Sequence, residues 1–266
     1  VPRGDAATLA GRTPALFHCG VHEVLLATLA GAVTHWRGEG GPVRPDPVLL
    51  DIEGHGREPV EGAELSRTVG WFTSTHPLRL AVADVDLTEA ADGGPAAGAL
   101  LKAVKEQARA VPGDGLGYGL LRHLNPETSP VLAALPGPQI GFNYLGRFTA
   151  GDPSDGRTVA AWQMAGDTAI GGSADPDMPS MHALEAGAAI VDTADGPELT
   201  VSLSWAGRAV DDAAAERIGQ LWLDMLGGLA AHTTDPTAGG HTPSDFPLLG
   251  LAQSQIEELE AGFNPH

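Results

Sequence analysis

Asp51-x-Glu53-x-His55 alternates two carboxylates and an imidazole at period two, and on a continuing strand that spacing sets all three side chains on one face. Such a trio could ligate a metal or perform acid/base chemistry; a strand end with solvated charges, bent by its glycines, is the third reading. Phe142-Asn143-Tyr144-Leu145-Gly146 also carries chemistry, because an Asn amide and a Tyr hydroxyl can each donate to a developing oxyanion. Strand neighbours point to opposite faces, so Asn143 and Tyr144 would share a cleft only where the strand ends. Otherwise Tyr144 packs and Asn143 sits in a turn. His18 and His22 stand four apart with Cys19 alongside, a ligand spacing without a third ligand nearby, and surface or half-buried roles explain them better. Cys19 near a helix start reads as packing and not as a nucleophile. Gly113, Gly115, Gly117 and Gly119 alternate, but no strand leads into them and the spacing is not that of a dinucleotide loop, so a tight turn is expected.

These residues need elements to hold them. Helical periodicity predicts a helix over 21–36, an amphipathic helix through Leu100, Leu101, Val104, Ala108 and Val111, a short helix near 118–124, a long helix over 211–231 and a small acidic one over 252–261. Strands are expected at 48–52, 69–73, 78–82 and 139–145, the second and third separated by His76-Pro77. An acidic, glycine-rich loop is expected over 84–96. Strands at 182–192 and 198–205, joined by Asp195-Gly196-Pro197, form the clearest hairpin signal. Residues 149–181 read as a long turn-rich excursion. Irregular alternation with one hairpin favours a mixed sheet covered by helices, an α+β sandwich, over an all-parallel sheet.

The 266 residues carry 34 Asp and Glu against 15 Lys and Arg, a formal charge of −19. That field repels phosphate backbones and anionic bilayers, which makes nucleic acid and membrane poor partners. No apolar run approaches the roughly 18 residues of a membrane span, so a soluble chain is expected. One cysteine allows no internal disulfide and fits a reducing cytoplasm, and no signal peptide opens the chain. Val1-Pro2-Arg3-Gly4 looks like a protease-site remnant and is set apart from the fold. With 36 glycines and 21 prolines the chain is loop-rich, yet its periodic segments mark it as folded.

Five ordered stretches resemble the epimerization domains of nonribosomal peptide synthetases. His22-Glu23-Val24-Leu25-Leu26-Ala27 resembles that family's D-x-L-L-x-A helix, with Glu23 where the family has Asp. EGHGRE stands at 53–58, RTVGWFT at 67–73, P-x-x-G-x-G-Y-G at 112–119 and FNYLG at 142–146. The closing Pro243-Ser244-Asp245-Phe246-Pro247-Leu248 is also typical of the family, whereas His76 stands where an aromatic is usual, and Arg147 and Thr149 depart after FNYLG. The family's H-H-x-x-x-D-G motif is absent from the sequence.

The resemblance implies the C-terminal lobe of such a domain over 5–242, a tail with a short helix over 243–266, and a fold similar to chloramphenicol acetyltransferase, with a mostly antiparallel sheet backed by helices. It implies inversion, L to D, of the α-carbon of an aminoacyl or peptidyl thioester held on the 4'-phosphopantetheine of a peptidyl carrier protein. Glu53 is then the general base, its pKa expected to rise on burial; Tyr144 is a proton donor or enolate partner and Asn143 a positioning group. His55 and Arg57 support the loop, and Trp71 and Thr73 touch substrate. No metal and no diffusible cofactor is needed. Partners are the carrier protein, an N-terminal lobe bearing H-H-x-x-x-D-G, and neighbouring synthetase domains. The lobe alone would be inactive. The alternative is a noncatalytic docking platform for carrier or neighbouring domains.

Overall fold

A computed structural model describes residues 1–39, 46–57, 64–65, 67–149 and 178–263. Helical segments α1 (Arg3–Ala7), a π-turn (Thr8–Arg12) and α2 (Thr13–Phe17) lead into α3 (Val21–Glu39). Strands β1 (Val48–Gly54) and β2 (Ser74–Leu80) precede α4 (Leu87–Ala91) and α5 (Pro95–Arg109). A 3-10 turn (Pro112–Gly115), α6 (Leu116–Gly119), a π-turn (Leu120–Leu124) and α7 (Ser129–Ala133) follow. Then come β3 (Ile140–Thr149), β4 (Leu184–Thr193), β5 (Gly196–Trp205), α8 (Asp212–His232) and α9 (Gln253–Phe263).

The five strands form one sheet in the order β2-β1-β3-β4-β5. This is the expected mixed sheet backed by helices. Its pairing is evenly divided and not mostly antiparallel: β1–β3 and β3–β4 are parallel, while β1–β2 and β4–β5 are antiparallel. Val48, Leu50, Ile52, Ile140, Phe142, Leu184, Ala186, Ala188 and Ile190 alternate onto one buried face. Helices α3, α5 and α8 cover that face. Every residue from Val24 to Thr34 of α3 is buried, so its central turns are enclosed all round. Trp222 of α8 is fully buried, and its indole N–H donates to Thr28 Oγ1 at 3.1 Å, which satisfies the one polar atom the packing would strand. Asp211 caps α8 by accepting from the Ala214 N–H at 2.7 Å.

Three expectations change. Residues 69–73 are loop, and the strand runs from Ser74 to Leu80 straight through His76-Pro77. β2 is an edge strand, the place in a sheet where a residue without an N–H costs no ladder bond. The 84–96 loop contains α4, whose N-cap Asp86 accepts from the Thr88 and Glu89 N–H groups. Most of the 149–181 excursion, residues 150–177, lies outside the described residues. Val1 and Arg3, set apart from the fold on sequence, lie against β5: the Val1 amino group donates to Leu199 O at 3.1 Å, and Arg3 pairs with Asp195 and Glu198. Among the described residues no single helix is long and apolar enough to cross a membrane, and the one bent pair long enough together, Arg3–Phe17 with Val21–Glu39, turns by 102°.

Candidate active site

The parallel ladder between β1 and β3 stops at the residues that could do chemistry. Glu53 is the register partner of Asn143, one residue before β1 ends. Adjacent partners in a ladder stand on the same face about 4.8 Å apart, so carboxylate and amide lie side by side. β3 continues to Thr149 against β4, with a register shift between Tyr144 and Arg147 and Gly146 at φ +100°. Beyond Asn143 the β1 side of β3 is therefore an open edge.

A cleft of about 620 Å³ opens there, at the carboxyl end of β1 beside the middle of β3. Glu53, His76, Asn143 and Tyr144 line it from the sheet and His55 and Thr73 from the loops beside it; His22, Glu23, Arg109 and Val111 line it as well. Asn143 and Tyr144 share this cleft although β3 does not end at them. The cleft wraps around an open strand edge instead of covering one sheet face, so alternation does not separate them.

Glu53 is half-buried, and among the described residues its carboxylate forms no hydrogen bond or ion pair, leaving its lone pairs available for a proton. Burial pushes the Tyr144 hydroxyl above its ordinary value, with Arg147 opposing and Asp192 adding to the shift, so Tyr144 is a protonated donor at neutral pH. Burial holds His22 below the ordinary imidazole value, and its ring stands edge-on to Phe142 with centroids 5.4 Å apart.

Two motif loops clasp each other beside Glu53. The Arg57 backbone N–H donates to His55 Nδ1 at 2.9 Å. The Arg57 guanidinium donates to Thr68 O (3.1 Å) and Gly70 O (3.3 Å) and sits 4.9 Å from the Phe72 ring centroid. Gly56, at φ +62°, lets the turn close on Phe72, whose carbonyl oxygen would lie 1.5 Å from any Cβ there. His55 and Arg57 thus hold the loop. Thr73 reaches the cleft; Trp71 is 91% exposed and does not line it. Glu58 lies outside the described residues.

The opposite wall is held by charge. Arg109 donates to Glu23 Oε1 (3.2 Å), Asp245 Oδ1 (2.9 Å) and His18 O (2.7 Å), while Glu23 Oε2 accepts the Gly20 N–H (2.7 Å). The longer Glu23 side chain reaches the backbone ahead of α3 and Arg109 together. Behind them Lys105, fully buried, donates to Phe17 O (2.8 Å) and Asp245 Oδ2 (2.6 Å).

The Asp51-x-Glu53-x-His55 trio is divided three ways. Asp51 shares the face of Glu53 one strand repeat earlier, but its Oδ2 lies 3.2 Å from His182 Nε2, while His182 Nδ1 is 2.6 Å from Glu185 Oε1. Gly141 is the floor of this cluster, where a Cβ would meet Glu185 Oε2 at 2.3 Å and His182 Nδ1 at 2.6 Å. Glu53 faces the cleft, and His55 lies past the end of β1 at its rim. Among the described residues no three His, Cys, Asp or Glu side chains gather as a metal would require. His18 and His22 are not on one helix: His18 ends α2 in the left-handed region at φ 51° and stacks on His241 at 3.8 Å. Burial, with Glu23 nearby, pushes the Cys19 thiol up to about 12, a protonated and unreactive state. Sequence reasoning missed His76, Arg109, Val111 and the His182–Glu185 pair; for His76 the available signal was its alternation with the buried Leu78 and Leu80 on the edge strand.

Fold and cleft define an α/β sandwich with a cleft at the carboxyl end of β1, beside the middle of β3. The condensation domain family matches residues 15–247. A linear gramicidin synthase of Brevibacillus parabrevis is 33% identical over 258 residues, 96% of this chain and 5% of that protein. Chondramide synthase cmdD of Chondromyces crocatus is 33% identical over 254 residues, 95% of this chain and 6% of that protein. The crystal structure of the epimerization domain from the third module of tyrocidine synthetase B superposes with a TM-score of 0.66 at 27% identity, covering 88% of this chain and 47% of that one. The X-domain from teicoplanin biosynthesis shares the fold, with a TM-score of 0.51 at 20% identity over 88% of this chain and 46% of that one. The chain belongs to the condensation-domain family. It spans about half the length of the solved domains and a small part of the synthases.

Proposed function

We propose that this chain supplies the base-bearing half of an amino-acid epimerization site, acting on an aminoacyl or peptidyl thioester carried by the phosphopantetheine arm of a carrier protein. The observation that supports this reading most is the pairing of Glu53 with Asn143 at the end of the parallel ladder, beside Tyr144, on one cleft. Glu53 takes the α-proton, and the electron pair left behind spreads onto the thioester oxygen as an enolate. Tyr144, protonated at neutral pH, and the Asn143 amide offer hydrogen bonds to that oxygen. A second group on the other side of the carbon returns a proton to the opposite face, and Glu53 gives up the proton it took before the next turnover. We assign that second group to a lobe facing this cleft, the one expected to carry H-H-x-x-x-D-G. The similarity to an epimerization domain at 27% identity agrees with this assignment.

The test is stereochemical. An L-aminoacyl carrier thioester, incubated with this chain together with the facing lobe, is released and resolved into L and D forms. D product should accumulate with the parent protein and fall by about 10²–10⁴-fold in Glu53→Gln, the usual contribution of a positioned base. Unchanged D product in Glu53→Gln would remove Glu53 from the reaction.

A further inference from the structure

A second cavity of about 450 Å³ lies between the free edge of β2 and the Pro112–Leu124 segment. It shares His76, Leu78 and Val111 with the cleft, so the two adjoin, with His76 at their junction. Pro112, Tyr118 and Leu121 complete its apolar wall, and Leu121 remains 45% exposed. Among the described residues exposed Arg79 on the rim is the one Lys, Arg, Asp or Glu that lines it, so a cationic side chain would meet a like charge and no counterion. The Gln107 amide on its rim is already committed to the Ala81 backbone at 2.7 and 3.1 Å. Gly115, at φ +82°, keeps the junction in shape: a Cβ there would lie 2.1 Å from His76 Nδ1.

We propose that this groove receives the side chain of the residue being inverted and selects large apolar, above all aromatic, side chains; the proposal rests on the epimerization reading of the cleft. An α-carbon held at Glu53 has polar groups on the Asn143–Tyr144 side and Leu78 and Val111 on the other, and the apolar surface continues past His76 into the groove. A volume of this order suits a ring and not a methyl group.

Photo-crosslinking of the full chain with the pantetheine amide of 4-benzoyl-phenylalanine tests the idea, since an amide is neither hydrolysed nor transferred. Label is expected on residues 110–122 or on Leu78, and the phenylalanyl amide of pantetheine should compete about tenfold or more better than the alanyl one, the effect of burying a phenyl group. Leu121→Asp should abolish the label and Leu121→Met retain it. No label, label elsewhere, or equal competition by the two amides would overturn the proposal. Measuring α-proton exchange on matched thioesters, with the facing lobe added, separates the two readings. Exchange without side-chain preference refutes the groove alone; a labelled groove without exchange refutes the epimerization reading and leaves an apolar acyl site.

Discussion

Glu53 and Tyr144 differ in what surrounds them, and that difference supports the distinct roles proposed for them. The carboxylate is half-buried and uncommitted, whereas burial keeps the phenol protonated. Tyr144→Phe should therefore lower the rate of α-proton exchange by about 10²-fold or more while leaving binding of the thioester substrate nearly unchanged, the pattern of a donor that acts on developing charge. Gly115 makes a stability prediction at the same scale. Gly115→Ala forces φ +82° on an L-residue and a Cβ against His76, and should cost about 1–3 kcal/mol in urea denaturation. His76→Ala in the same background relieves the clash but not the backbone strain, so only part of the loss should return. Cys19, with its thiol pushed up to about 12, should react with a disulfide reagent at pH 8 only after unfolding.

Elements hold these residues through two charged clusters. Lys105 and Asp245 tie the 243–247 tail to α5, and Arg109 carries the tie to the cleft wall. Burial opposes ionisation of Asp245, but Lys105, Thr242 and Arg109 hold its carboxyl below the usual range. Lys105→Met leaves that buried carboxylate with less compensation and should destabilise by about 3–5 kcal/mol in chemical denaturation. On the outer sheet face, His182 bridges Asp51 and Glu185 across β1, β3 and β4, one repeat before the Glu53–Asn143 pair. Burial opposes its charge, yet the two carboxylates raise it above the ordinary imidazole value. A raised folded-state pKa contributes stability that is complete below the unfolded value of about 6.5 and is lost as pH rises through the folded one. Unfolding curves between pH 6 and 9 should show that loss in the parent protein, and His182→Asn should flatten it.

Much of the element layout was legible because periodicity is local. Helical periodicity over 21–36 marked α3 and over 211–231 marked α8, and Asp195-Gly196-Pro197 marked the hairpin of β4 and β5. What was illegible depends on neighbours far along the chain. Pro77 broke a strand on paper because only the sheet order makes β2 an edge. Asp51 looked like a partner of Glu53 until residue 182, 131 positions away, claimed it. The Asn143–Tyr144 pair required knowing where β1 stops, since the open edge of β3 is a property of two strands.

At the scale of the whole molecule, a chain of net charge −19 places a cleft edged by Glu53, Asn143 and Tyr144 beside an apolar groove along the edge strand β2. Helices α3 and α5 line one side of that cleft, and the matched solved domain is about twice as long as this chain. Proton transfer on both faces of a carbon demands groups on both sides, so catalysis should require the facing lobe even when this chain binds the thioester unaided. The most direct measurement is α-deuterium uptake by an aminoacyl-carrier thioester in heavy water, with the chain alone, with the facing lobe added, and with Glu53→Gln. Uptake in the two-lobe mixture, absent from the single chain and lost in Glu53→Gln, is the predicted result. Carrier binding without uptake in any mixture would contradict it and leave the cleft a docking surface.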